Sequence, residues 1–167
     1  MRQQRNKNLR LGFVPTMGAL HDGHLSLVDI AQKASDGVVV SIFVDSTQFD
    51  NAKDLQNYPN TLNLDLQQLR KAGVMAVFGP AAAEIYAMDS EIIVETTQLA
   101  NQLLGAVRPG HFCGVTTVVC KLFNIVQPDL AVFGEKDYQQ LHVIRRMVRD
   151  LHIPGMPHSV VMLNVNA

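Results

Sequence analysis

An α/β fold organised on a parallel β-sheet follows from three features of the sequence. Short β-branched runs alternate with amphipathic stretches along the chain, which is the pattern of right-handed βαβ units. The run Gly37-Val-Val-Val-Ser-Ile-Phe-Val44 is almost continuously apolar, as a central strand covered on both faces must be. Polar segments follow predicted strands at residues 15–24, 45–50 and 134–140, the first and last of them bearing Gly or Pro, where an open α/β sheet gathers its ligands. The expectation is a Rossmann-like, doubly wound parallel sheet with helices on both faces, forming one domain over residues 1–167.

The elements are justified in order. Residues 9–14 read as the first strand, ended by Pro15, and residues 23–34 as a helix that Asp22 is placed to cap. Residues 37–44 form the central strand. Residues 61–72 have helical spacing, with Leu62, Leu66 and Leu69 on one face. Residues 76–78 are a short strand ending at Gly79-Pro80, 92–95 a further strand, and 99–104 a short helix. Residues 115–126 are a strongly apolar helix stopped by Gln127-Pro128. Residues 130–133 are a strand, 138–151 a helix and 158–165 a last strand.

Composition excludes several classes of function. The 167 residues carry 14 basic and 15 acidic side chains, a formal charge of −1, so no basic surface for nucleic acid is expected. Aromatic residues make up 6% with no Trp, which is poor material for stacking bases. No apolar run approaches the ~18 residues of a membrane span, and the N-terminal Met-Arg-Gln-Gln-Arg-Asn-Lys has no apolar signal region. Cys113 and Cys120 are too few for a disulfide framework, and seven residues apart on one helix they do not readily bridge. A cytoplasmic location is expected.

Four segments carry candidate chemistry. Pro15-Thr-Met-Gly-Ala-Leu-His-Asp-Gly-His24 runs from a strand through a turn into a helix N-terminus, whose free N–H groups suit phosphate. His21 and His24, three apart, can face one ligand there and stabilise charge developing on phosphorus, while Gly18 and Gly23 permit close backbone approach. Gln48, at a strand end, is a neutral donor and acceptor suited to a hydroxy acid. Arg108-Pro-Gly-His-Phe-Cys-Gly114 offers an arginine for an anion, with Gly114 starting the helix beyond. Phe133-Gly-Glu-Lys-Asp-Tyr-Gln-Gln140 lets Lys136 reach a phosphate, with Asp137 either holding that lysine or capping the next helix. Neither a Walker A loop nor a Gly-x-Gly-x-x-Gly fingerprint is present.

The His-x-Gly-His segment resembles the signature of the nucleotidyltransferase and class I aminoacyl-tRNA synthetase superfamily. Five segments in order, Pro15 to His24, Gln48-Phe49, Arg108 to Phe112, Lys121-Leu-Phe-Asn-Ile-Val-Gln-Pro-Asp129 and Phe133 to Leu141, resemble the pantoate–β-alanine ligase family. The resemblance implies ATP-dependent condensation of pantoate with β-alanine to pantothenate through a pantoyl adenylate. AMP and pyrophosphate are released, Mg²⁺ accompanies ATP, and the enzyme is a homodimer. It also implies that His21, His24 and Lys136 are catalytic. Thr16, Met17, Gly23, Gly134 and Asp137 join them around ATP, Met17, Gln48 and Gln140 hold pantoate, and Asp65 lies in the Mg²⁺ region.

Two departures from the family pattern bear on activity. Asp45-Ser46 stands where the family has Asn-Pro, which puts a negative charge near the site for anionic pantoate. After Pro154 the family's Ser-Ser-Arg-Asn segment and C-terminal domain are not matched. The chain is therefore expected to correspond to the family's N-terminal domain. The competing expectations are a nucleotide- and pantoate-binding module without turnover and another adenylyltransferase of the superfamily.

Overall fold

The computed structural model describes residues 9–49, 51–154 and 160–163. Its elements are β1 (Leu11–Thr16), α1 (Asp22–Ala34), β2 (Gly37–Ile42), a 3₁₀ turn (Ser46–Gln48), α2 (Ala52–Gln56), α3 (Leu62–Lys71), β3 (Ala76–Phe78) and α4 (Ala82–Ile85). A 3₁₀ turn (Leu99–Asn101), α5 (Leu104–Val107), α6 (His111–Val126), β4 (Leu130–Gly134), a 3₁₀ turn (Glu135–Asp137), α7 (Tyr138–Asp150) and β5 (Val160–Leu163) follow. The five strands lie in the order β3-β2-β1-β4-β5, and every pair is parallel.

Successive strand residues point to opposite faces, and each face is covered. Val14, Val38, Val40, Leu130 and Val132 pack against Leu27, Val28 and Ala31 of α1 and Leu69 of α3. Phe13, Val39, Ala131 and Phe133 pack against α6 and α7 through Val115, Val119, Phe123, Leu141 and Ile144. The doubly wound sheet expected from the sequence is therefore present. Its order reverses between β1 and β4, and in such folds ligands bind at the strand ends on either side of that reversal.

Several boundaries differ from the sequence expectation, each for a physical reason. β1 continues through Pro15 to Thr16. Leu11 O accepts from Asp129 N, so by alternation the nitrogen of Pro15 also faces the β4 side. The paired register of β1 with β4 ends at Phe13 and Ala131, so no ladder bond is lost at the proline. Residues 92–95 form no strand; Val94 N donates to Thr117 Oγ1 at 2.9 Å, and Val94 O accepts from Thr116 Oγ1. Two side chains of α6 thus take the place of a strand partner. The expected helix at 99–104 is two short pieces, with Leu103 between them at φ 48°. On α3 the buried residues are Asp65 and Leu69, whereas Leu62 and Leu66 are exposed. α6 starts at His111, with Gly110 before it at φ 84°, so Gly114 lies inside the helix rather than at its start. The expected last strand is seen over Val160–Leu163 beside β4, and the rest of its predicted span lies outside the described residues.

Candidate active site

The segment between β1 and α1 is a turn held in place from a distance. Gly18 has φ 83° and Ala19 φ 51°, consecutive left-handed residues that need outside support. Asp65 of α3 supplies it, accepting from Ala19 N at 3.0 Å, from Leu20 N at 2.9 Å and from Thr61 Oγ1 at 3.0 Å. A Cβ on Gly18 would lie 3.1 Å from Asp65 Oδ2 and 3.2 Å from Ile42 Cγ2, so the position requires glycine for space as well as for φ. Thr16 closes the other side: its hydroxyl donates to Ser41 O at 2.7 Å and accepts from Gly18 N at 3.2 Å.

The helix that follows is capped by His21, not by Asp22. Nδ1 of His21 accepts from Gly23 N at 3.1 Å, and Nδ1 of His24 accepts from His21 N at 3.4 Å. This is a capping box made of two imidazoles. An accepting Nδ1 on a neutral imidazole puts the proton on Nε2, so each ring keeps an Nε2–H donor for a ligand. The rings lie 4.1 Å apart between centroids. Burial holds the His24 pKa below its ordinary value, as do His21 and Lys136, against the opposing carboxylates of Asp65 and Asp137. His24 is therefore neutral near pH 7. The same interactions put Lys136 and Asp137, from the turn after β4, in electrostatic reach of His24.

His24 lines a cavity of about 180 Å³ at the carboxyl ends of β1, β2 and β4, together with Thr16, Met17, Phe43, Asp45, Gln48, Asp137 and Gln140. Val115, Val118, Val119 and Leu122 of α6 form an apolar wall. Met17 also lines a second cavity of about 360 Å³, walled by Tyr58, Thr61 and Asp65. The residues expected around ATP and pantoate, Gly134 aside, are thus traced to one region through the cavity, the capping box or the charges felt by His24. Gly134 ends β4 just before Lys136, with open space where a Cβ would be.

Several of these side chains also make contacts within the protein. Asp137 makes no side-chain cap bond to α7, and neither it nor the exposed Lys136 has an ion-pair partner among the described residues, so the lysine is left available to an anion. Arg108 donates from Nη2 to Gln48 O at 3.0 Å. Asp65, expected in the Mg²⁺ region, has both oxygens engaged by the turn. Among the described residues no cluster of three His, Cys, Asp or Glu side chains is placed to hold a metal. Asp45 does not project freely into the cavity. It is 1% exposed and caps the Ser46–Gln48 turn, its Oδ1 accepting from Thr47 N at 3.0 Å and Thr47 Oγ1 at 2.8 Å.

Sequence reasoning missed two tyrosines. The hydroxyl of Tyr86 is buried, close to the side chains of Thr47 and Asp45. Burial, and secondarily the Asp45 charge, push its pKa up to about 12, so it stays protonated. The Tyr58 pKa is likewise raised by burial and by the Asp65 charge. Neither tyrosine lies in the segments 15–24, 45–50 or 134–140 that the sequence marks as following strands.

Comparison with known proteins places the chain in a family. The family model described as pantoate-beta-alanine ligase matches residues 1–165. The pantothenate synthetase of Bartonella tribocorum is 53% identical over 91% of this chain and 53% of its own length. That of Idiomarina loihiensis is 54% identical over 92% and 56%. The crystal structure of the Thermus thermophilus protein, described as pantoate-beta-alanine (pantothenate synthetase), superposes with a TM-score of 0.88 at 49% identity, covering 93% of this chain and 55% of that one. A pantoate-beta-alanine ligase from Francisella tularensis, complexed with beta-gamma ATP and beta-alanine, superposes at 0.93 with 42% identity over 99% and 63%. The chain spans about half the length of the curated relatives it matches. With a family model matched over nearly its whole length, the chain belongs to the pantoate–β-alanine ligase family.

Proposed function

We propose that this chain carries the ATP and pantoate sites of an AMP-forming pantoate–β-alanine ligase. The observation that carries the reading is the His21–His24 capping box at the start of α1. It sets two imidazoles 4.1 Å apart between centroids at a helix N-terminus, and His24 lines a cavity together with Gln48 and Gln140. In the first half-reaction a carboxylate oxygen of pantoate attacks the α-phosphorus of ATP. A new P–O bond forms as the bond to the β-phosphate breaks, and pyrophosphate leaves. The carboxylate is already ionised, so no base is needed. Charge grows on the phosphoryl oxygens, where His21, His24 and Lys136 are suited to meet it. In the second half-reaction the amine of β-alanine attacks the acyl carbon, AMP leaves with the C–O bond electrons, and the nitrogen loses a proton. Thr16, Met17, Gly23, Gly134 and Asp137 are assigned to the nucleotide, and Met17, Gln48 and Gln140 to pantoate.

Mg²⁺ is expected to travel with the triphosphate, since the described residues form no cage for it and such ions commonly keep phosphate and water ligands. No step above depends on it, and Asp65 is assigned to holding the phosphate turn. A homodimer and a cytoplasmic location belong to the same proposal. Exposed Ile92, Ile93, Leu103 and Val107 offer apolar surface for assembly.

The test mixes protein, ATP, Mg²⁺ and pantoate, with and without β-alanine, and follows pyrophosphate, AMP and pantothenate. Pyrophosphate release that depends on pantoate is expected, reduced about 10²-fold or more in His24→Ala. Failure of calorimetry to detect binding of either ATP or pantoate would overturn the reading. Binding without release would identify a binding module.

A further inference from the structure

Residues 99–108 fold into a compact strap set apart from the lining of the His24 cavity. Gly105 N donates to Gln102 O at 2.9 Å. A Cβ on Gly105 would lie 1.8 Å from Ala100 O and 3.1 Å from Phe112 Cδ2, so only a glycine lets the Leu99–Asn101 turn and α5 close on each other and on α6. Gln139, in the first turn of α7, fastens one end of the strap. Its Nε2 donates to Leu99 O at 3.0 Å and to Gln102 O at 2.6 Å, and its Oε1 accepts from Leu104 N at 3.0 Å. Arg108 fastens the other end, donating from Nη2 to Gln48 O at 3.0 Å.

Both fastenings stand beside the substrate cavity. Gln48 and Gln140 line it, and they follow β2 and β4, the strands on either side of β1. Gln140 is the next residue to Gln139 on α7, and Gln48 is the residue whose main chain Arg108 holds. The strap therefore joins the two sides of the cavity by a route outside the sheet. The Gln139 amide spends two donor bonds and one acceptor bond on strap main chain, and among the described residues none of its bonds reaches the Ser46–Gln48 turn. We propose that Gln139 is a positioning residue for the acid substrate. Through the strap and Arg108 it ties the Gln48 turn to the start of α7, and so sets the separation of the two glutamines between which the acid sits. Gln139 and Arg108 act in series, because the arginine can hold Gln48 in place only while its own segment is held. This rests on the ligase reading above and adds to it two residues that shape the acid site from outside.

The test measures pantoate and ATP affinity by calorimetry for the wild-type chain, Gln139→Ala, Arg108→Ala and the double variant, with a thermal midpoint for each. Either single change is expected to weaken pantoate about fivefold and to leave ATP within about twofold. For two residues in series the double variant should also be about fivefold weaker, not about 25-fold. Amide hydrogen exchange across residues 46–49 should quicken in Gln139→Ala as it does in Arg108→Ala. Effects that multiply in the double variant would show that Arg108 meets the acid independently of the strap, and overturn the proposal. Equal weakening of ATP and pantoate in Gln139→Ala would show a general loosening of α7, and overturns it too. So does unchanged exchange at the turn, whatever the midpoint of the variant. These outcomes sink the strap alone while the wild type binds pantoate. Absence of pantoate binding in the wild type sinks the ligase reading with it.

Discussion

A carboxylate that accepts from two consecutive main-chain N–H groups and a hydroxyl holds the Gly18–Leu20 turn in its left-handed form. Asp65→Asn places an NH₂ group where one accepting oxygen was. A buried N–H or the Thr61 hydroxyl then loses its partner, at a cost of about 1–3 kcal/mol. Urea unfolding should show that loss together with weakened ATP binding, and an unchanged midpoint would show that the turn stands by itself. His24 makes a second prediction, with a definite sign. Its native pKa lies below the ordinary 6.5, so below pH 6.5 the unfolded chain binds more protons than the folded one. The stability this contributes is complete above about pH 6.5 and is lost as pH falls through the lowered native value. Between pH 7.5 and 5.5 the wild type should lose more stability than His24→Gln, and equal losses would refute the assignment. His21, His24, Gln48 and Gln140 were legible because each sits in a polar segment beside a strand or helix end. The work of Asp65 was not, because its partners lie 45 and 46 residues earlier in the chain and an acidic residue on a helix reads as solvated.

Helix α6 places the site through its packing as much as through its side chains. A Cβ on Gly114 would lie 2.7 Å from Thr47 Oγ1 and 3.3 Å from Thr47 O, so the Ser46–Gln48 turn rests directly on the helix backbone. Gly114→Ala should push that turn outward and cost about 1–3 kcal/mol by overpacking, against the modest gain alanine brings to a helix interior. Thermal unfolding and pantoate titration together check this: both midpoint and affinity should fall, and a stabilised protein with intact affinity would mean the contact yields easily. The sequence made α6 legible as an apolar stretch between breakers, yet Gly114 read as its start because glycine commonly borders helices. Only the packed turn explains a glycine inside the first turn of the helix. The same limit applies to residues 92–95, whose β-branched pattern reads as a strand while two threonines of α6 take up the Val94 main-chain groups that a neighbouring strand would otherwise bond.

At the scale of the whole molecule, β1 ties two core layers together. Val14 faces the layer of α1 and α3, and Phe13 that of α6 and α7. The sheet is closed by pairing segments far apart in sequence, with Leu11 N donating to Asp129 Oδ2 at 2.6 Å across 118 residues. Neither layer can form without the central strands that the other also requires, so the described fold should unfold as one cooperative unit. Leu69→Ala removes a fully buried side chain from one layer and Ile144→Ala from the other. Each should cost about 2–5 kcal/mol, and each should lower the same transition. Far-ultraviolet circular dichroism follows the helices of both layers, whereas tyrosine fluorescence reports partly on Tyr86, which packs against the α6–α7 layer. Coincident urea curves from the two probes are expected in the wild type and in both variants. If Leu69→Ala split the curves, with circular dichroism falling before the tyrosine signal, the α1–α3 layer would be an independently melting unit. The β1 turn that carries His21 and His24 would then belong to the less stable half of the molecule.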